Sequence, residues 1–129
     1  MRVSSLIKNT LVSGDFSGNF STFPPSAVEH PECVVVLEGA FERESRIEGE
    51  ERGTVPVTIL VVRDVSADAE AVAIACEQWL RNYGWERDSE AWPWRICGID
   101  TTAPAFKERD SSGRYVWEFT VTVTAVRSV

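Results

Sequence analysis

The chain has 129 residues, with 20 acidic against 13 basic side chains and a formal net charge of -7. A domain of that length buries roughly two-thirds of the surface its unfolded chain exposes, enough for one core without metal or disulfide staples. A hydrophobic fraction of 43% and a charged fraction of 26% exclude wholesale disorder and fibrous repeats, and the acidic balance argues against a binder of phosphate backbones, which needs concentrated Lys or Arg.

Val3 to Val12 predicts a short helix with Val3, Leu6, Ile7 and Leu11 near one side and Ser4 or Ser5 as its cap. Its apolar stretch is too short for a secretory signal, and no later run approaches the roughly 20 apolar residues of a membrane span, so no membrane partner is expected. Residues 13–31, SGDFSGNFSTFPPSAVEHP, hold Gly, Asn, Ser and Pro that oppose a regular element. Phe16, Phe20 and Phe23 give this segment apolar anchors, making it either a loop pinned to its own core or an arm docked on a neighbouring copy.

Cys33 to Ile47 reads as one strand, with Cys33, Val35, Leu37, Phe41 and Ile47 toward a core and Glu38, Glu42, Glu44 and Arg46 on the opposite face. Thr54 to Val65 is a second strand rich in β-branched residues, and Gly49 to Gly53 supplies the turn of a hairpin. Pro56, without a donor, suits a strand end or edge. Ser66 to Gly84 is the clearest helix, with Ala69, Val72, Ala73, Cys76, Trp79 or Leu80, and Tyr83 on one side. Ser66 is its expected cap, Asp68 and Arg81 complement its dipole, and Gly84 is its expected stop. A third strand lies within Ala91 to Thr101, and a fourth runs from Tyr115 to Ala125 with strict alternation. The irregular TAPAFKERDSSGR separates them. The expected fold is α+β, a single domain over residues 1–129 in the order α-β-β-α-β-β, with a mostly antiparallel four-stranded sheet covered on one face by the helices.

Chemistry is weakly signalled. His30 is the only histidine and has no Cys or second His at ligand spacing, no serine sits in a nucleophile elbow, and neither phosphate-loop pattern occurs. Asp64, Asp68 and Glu70 are explained by a helix start, and Glu42 with Glu44 by a solvated strand face. No catalytic residue, cofactor or metal is therefore expected. Cys33, Cys76 and Cys97 are odd in number, widely spaced and set among apolar residues, the pattern of reduced packing thiols. Trp85, Trp92 and Trp94 lie in a segment that carries Glu86, Asp88 and Glu90 against Arg87 and Arg95, a balance that favours packing or protein contact over base stacking.

The least routine feature is the charge run from Glu42 to Arg52. Glu42, Glu44, Glu48, Glu50 and Glu51, interleaved with Arg43, Arg46 and Arg52, occupy a hairpin end and suit a solvated face or a partner contact. In order and length, ECVVVLEGAFERES, TVPVTILVVRD, DAEAVAIACEQWLRNYG and GRYVWEFTVTVTAV resemble the small tail-terminator or tail-completion proteins of long-tailed bacteriophages and prophages. The resemblance covers about the last three-quarters of the chain. It implies a non-enzymatic subunit of a ring, commonly hexameric, that ends the tail tube and joins it to the head connector, in a virion assembled in the bacterial host cytoplasm. Its implied partners are further copies, the tail tube protein and the connector protein, with no sequence-specific nucleic acid binding. The eight charged residues above, with Phe16, Phe20 and Phe23, are the implied assembly surface. A head-tail joining or minor capsid protein, and a small ligand-binding or regulatory domain, are the alternatives.

Overall fold

Hydrophobic alternation in two long stretches sets the centre of the molecule. A computed structural model describes residues 3–14, 16, 19–21, 33–83, 90–91 and 94–128; Phe23, His30, Gly84, Trp85 and Trp92 lie outside the described residues. In chain order the elements are α1 (Val3–Ser13), β1 (Asn19–Ser21), β2 (Cys33–Glu38), β3 (Glu42–Ile47), β4 (Glu50–Arg63), α2 (Ser66–Asn82), β5 (Glu90–Ala91), β6 (Trp94–Thr101), β7 (Ala105–Arg109) and β8 (Tyr115–Ser128). One sheet takes them in the order β1-β2-β4-β8-β6-β5, with β3 also beside β4 and β7 also beside β8. All pairs are antiparallel except β1 with β2.

β4 and β8 pair along their whole length, from Glu50 opposite Ser128 to Arg63 opposite Tyr115. The free edge of β4 is shared by β3, against Glu50 to Thr54, and β2, against Val57 to Val62. On β8, β6 takes Val121 to Arg127 and β7 takes Tyr115 to Glu118. The odd residues Val55, Val57, Ile59 and Val61 of β4 and Phe119, Val121, Val123 and Ala125 of β8 share one face, as the two-residue period requires. Val3, Ile7 and Leu11 of α1 and Ala73, Cys76 and Leu80 of α2 cover that face, so the α+β class and the one-sided helical layer are as expected. On the other face a second, smaller cluster joins Cys33, Val35, Leu60, Val62 and Val116.

The strand count differs from the expected four. The continuous strand of Cys33 to Ile47 breaks at Gly39 to Phe41, and β2 is buried on both faces, so Val34 and Val36 enter the main core while Cys33 and Val35 enter the second. The break explains Pro56. It lies inside β4, between the portions paired with β2 and β3, where its carbonyl accepts from the Gly39 N–H at 2.7 Å and no strand asks for the N–H it lacks. β4 begins at Glu50 rather than Thr54, because the turn is the tighter Glu48-Gly49, with Gly49 at φ 77°. Residues 19–21 within the expected loop form β1, and the expected irregular link contains β7.

Both helix caps differ from the sequence expectation, and of the two candidates Trp79 and Leu80 one enters the core. Ser66 is the first residue of α2, not its cap; its hydroxyl accepts from Trp117 Nε1 at 3.2 Å, and the capping position is Val65. The first turn of α1 is capped from outside, the Ser4 N–H donating to Glu38 Oε1 at 2.6 Å. Leu80, rather than Trp79, enters the core; Trp79 reaches sideways and donates its indole N–H to the Thr10 carbonyl near the end of α1 at 2.8 Å. Cys33 and Cys76 are buried, but Cys97 is only half-buried, because β6 slips register between Ile96 and Gly98 and takes Cys97 out of the ladder.

Candidate assembly surface

The charged hairpin is built by β3 and β4. Its residues do not divide between the two faces by simple alternation, because β3 slips register between Arg43 and Ser45. Arg43 lies opposite Gly53 and, past the slip, Arg46 lies opposite Glu51, so both arginines take the face that carries the helices. Glu42, opposite Thr54, takes the other face; the expected sharing of one face by Glu42 and Arg46 is undone by the extra residue, Glu44.

Glu42, Arg43, Glu44, Arg46, Glu48, Glu50 and Arg52 are exposed. Glu51 is not: it is 7% exposed and holds two arginines, accepting from Arg127 Nη2 at 2.7 Å and Arg43 Nη1 at 3.4 Å. The Arg127 guanidinium also lies 4.5 Å from the centre of the Phe41 ring. Hydrogen bonding from Arg127, against the opposing effect of burial, leaves the Glu51 carboxyl below its ordinary range. This knot fastens the turn end of the hairpin to β8. Gly53 makes the close fit possible, since a Cβ there would run into the Glu42 carbonyl oxygen and the Phe41 ring. Arg127 escaped sequence reasoning, and Phe41 was read only as a core residue; the only signal for Arg127 was that it continues the odd-numbered face of the alternating β8 run.

Phe16 is half-buried, packing edge-on against Trp79 with ring centres 6.3 Å apart. Phe20 contributes backbone to β1, and its side chain, like Phe23, lies outside the described residues. At the opposite corner of the sheet β7 is exposed along all five residues, and Phe106, 51% exposed, meets Trp117 edge-on at 6.1 Å. The turn from β7 to β8 is rigid. Asp110 Oδ1 accepts from the backbone N–H groups of Ser112 and Arg114, Oδ2 accepts from Arg114 Nε at 2.8 Å, and Gly113 adopts φ 84°. Burial pushes the Asp110 carboxyl up, but these donors together hold it below its ordinary value.

An open depression of about 400 Å³ lies between α2 and β6, lined in part by Glu77, Arg81, Asp100 and Thr101. Glu77 Oε1 there accepts from Thr101 Oγ1 at 2.7 Å and pairs with Arg81 Nε at 3.2 Å, an arrangement that fixes α2 to the sheet. No group of three or more His, Cys, Asp or Glu side chains among the described residues is placed to hold a metal ion.

A family model described as bacteriophage tail terminator protein matches residues 11–127. The chain belongs to that family. The chain also shares its fold with a chain from the virion of a native gene transfer agent particle, at 13% identity and a TM-score of 0.65, over 96% of this chain and 94% of the other. No curated sequence matches it. The chain is thus a structural protein of the phage tail, located in the virion.

Proposed function

We propose that the chain is one subunit of a closed ring that terminates the tail tube and joins it to the head connector, and that it acts by assembly without catalysis. The observation that carries this reading is the family match over residues 11–127, and the charged hairpin fits it physically. Glu42, Glu44, Glu48 and Glu50 are exposed carboxylates on a hairpin fastened near its turn by Glu51, Arg43 and Arg127. This fastening holds these charges in a defined place, and a ring repeats them around its axis, so that individually small ionic contributions recur at every copy.

The test neutralises Glu48 and Glu50 while leaving the internal Glu51 in place. Glu48→Gln/Glu50→Gln is expected to alter ring formation or attachment to purified tails, seen by native mass measurement and electron microscopy. Thermal unfolding of the isolated chain should hardly move, because exposed ion pairs contribute about 0–1 kcal/mol. Unchanged rings together with unchanged tail attachment would remove the hairpin from the assembly surface, and a wild-type chain that forms no ring would defeat the reading itself.

A further inference from the structure

Among the described residues β1, β3, β5 and β7 each pair with a single strand, and of these β3 and β7 sit at diagonally opposite corners of the sheet. β3 pairs only with the Glu50 to Thr54 end of β4, and β7 pairs only with the Tyr115 to Glu118 end of β8. Both are irregular in the same way. β3 slips between Arg43 and Ser45, which makes Glu44 the extra residue, and β7 slips between Phe106 and Glu108, which makes Lys107 the extra residue. A bulge breaks the regular spacing of edge donors and acceptors, so another strand does not simply add to the ladder, and it re-aims the side chain of the extra residue. At one corner that residue is a carboxylate and at the other an ammonium.

The surroundings reinforce the complementarity. Glu44 is exposed with no ion pair among the described residues, and Lys107 has only a loose 3.9 Å approach to Glu118. The hairpin from Glu42 to Arg52 has more carboxylates than guanidiniums, whereas β7 carries Lys107 and Arg109 against Glu108. Beside Lys107 stands the exposed face of Phe106, backed by Trp117, the kind of supported aromatic that anchors a protein contact.

We propose that the partner of the β7 corner is a second copy of this chain: the β3 edge of one copy meets the β7 edge of the next, side chain to side chain, with Glu44 facing Lys107 and Phe106 as the apolar anchor. This rests on the ring reading above and names its contact. Because the two corners are different surfaces on opposite edges, each copy gives one and receives one, the head-to-tail arrangement from which cyclic rings are built.

The experiment uses the full chain in four forms, wild type, Glu44→Lys, Lys107→Glu and the double variant, with association followed by sedimentation and native mass spectrometry. Each single reversal puts like charges across every contact and is expected to weaken association by about fivefold per contact. The double variant restores opposite charges and should associate as the wild type does. An equimolar mixture of the two single variants should also associate, but only in alternation and therefore in even-numbered assemblies, which shows at the same time that both variants are folded. Single variants that form wild-type rings would overturn the edge contact while leaving the ring intact. Loss of association that neither the double variant nor the mixture repairs would also overturn it, and the partner of β7 would then be a different protein. A wild-type chain that never forms a ring would defeat this contact and the ring together.

Discussion

Replacing Phe119 with alanine probes the core most directly. The ring is 1% exposed, the largest of the fully buried side chains, and it lies on the helix-bearing face of β8 opposite Ile59 of β4. Removing it forfeits the transfer free energy of the ring and leaves a void that the two longest strands, paired rung by rung, have little freedom to collapse into. The expected loss is about 3–5 kcal/mol. Against a total stability of about 5–15 kcal/mol this is a large fraction, and with a urea slope of about 2 kcal/mol per molar it moves the unfolding midpoint down by about 2 M. Urea unfolding followed by tryptophan fluorescence at two protein concentrations separates the core effect from any loss of self-association. Phe106→Ala is the control, since half of that ring already meets solvent and its removal should cost under about 1 kcal/mol. Equal losses at the two positions would refute the assignment of Phe119 to the centre of the core.

Gly53→Ala should destabilise by roughly 1–3 kcal/mol, because β3 must move away from β4 to admit a methyl group beside the Glu42 carbonyl; a neutral result in thermal unfolding would show that the hairpin base is loosely packed. Glu51 and Asp110 have carboxyls held below their ordinary values, so their contributions are present above the ordinary carboxylate range and are lost as pH falls through the lowered native values. Stability against thermal unfolding should therefore fall below about pH 4, and Glu51→Gln should flatten that slope; an unaltered slope would exclude Glu51 as a source. Burial pushes the Cys76 thiol up to about 12, and burial also raises Cys33 despite Arg114 and Arg63 nearby. Native labelling by a thiol reagent at neutral pH should therefore modify Cys97 first, with Cys33 and Cys76 reacting only on unfolding; rapid reaction of Cys76 in the native protein would contradict its burial.

The long elements were legible because burial on one side imprints a period on the chain. Val55 to Val61 and Phe119 to Ala125 alternate, and Ala69, Ala73, Cys76 and Leu80 recur at helical spacing, so the class of fold and the helix-covered face could be read directly. β7 could not be read this way: all five residues are exposed, and only its pairing with β8 makes it a strand. β2 was read as a strand but its faces were not, since a strand buried on both faces has no alternation to show. In the candidate assembly surface the charged run was plain, but one extra residue at Glu44 exchanged the faces that follow it, and Glu51 turned inward because its partner Arg127 stands opposite it in a strand distant in sequence. Such pairings depend on register, which local composition does not encode.

The complete pairing of β4 with β8 has a consequence for how the molecule comes into being. Arg63 opposite Tyr115 is the rung of this pair nearest in sequence, and even this closes a loop of about fifty residues, with every other rung of the pair closing a longer one. Folding dominated by such distant closures is slow, on the millisecond-to-second scale typical of sheet-rich domains. During synthesis the apolar edge of β4 waits, unpaired, for a strand that emerges long after it. The sheet therefore closes only when β8 has docked, so the last long element to be synthesised is the one that completes the core.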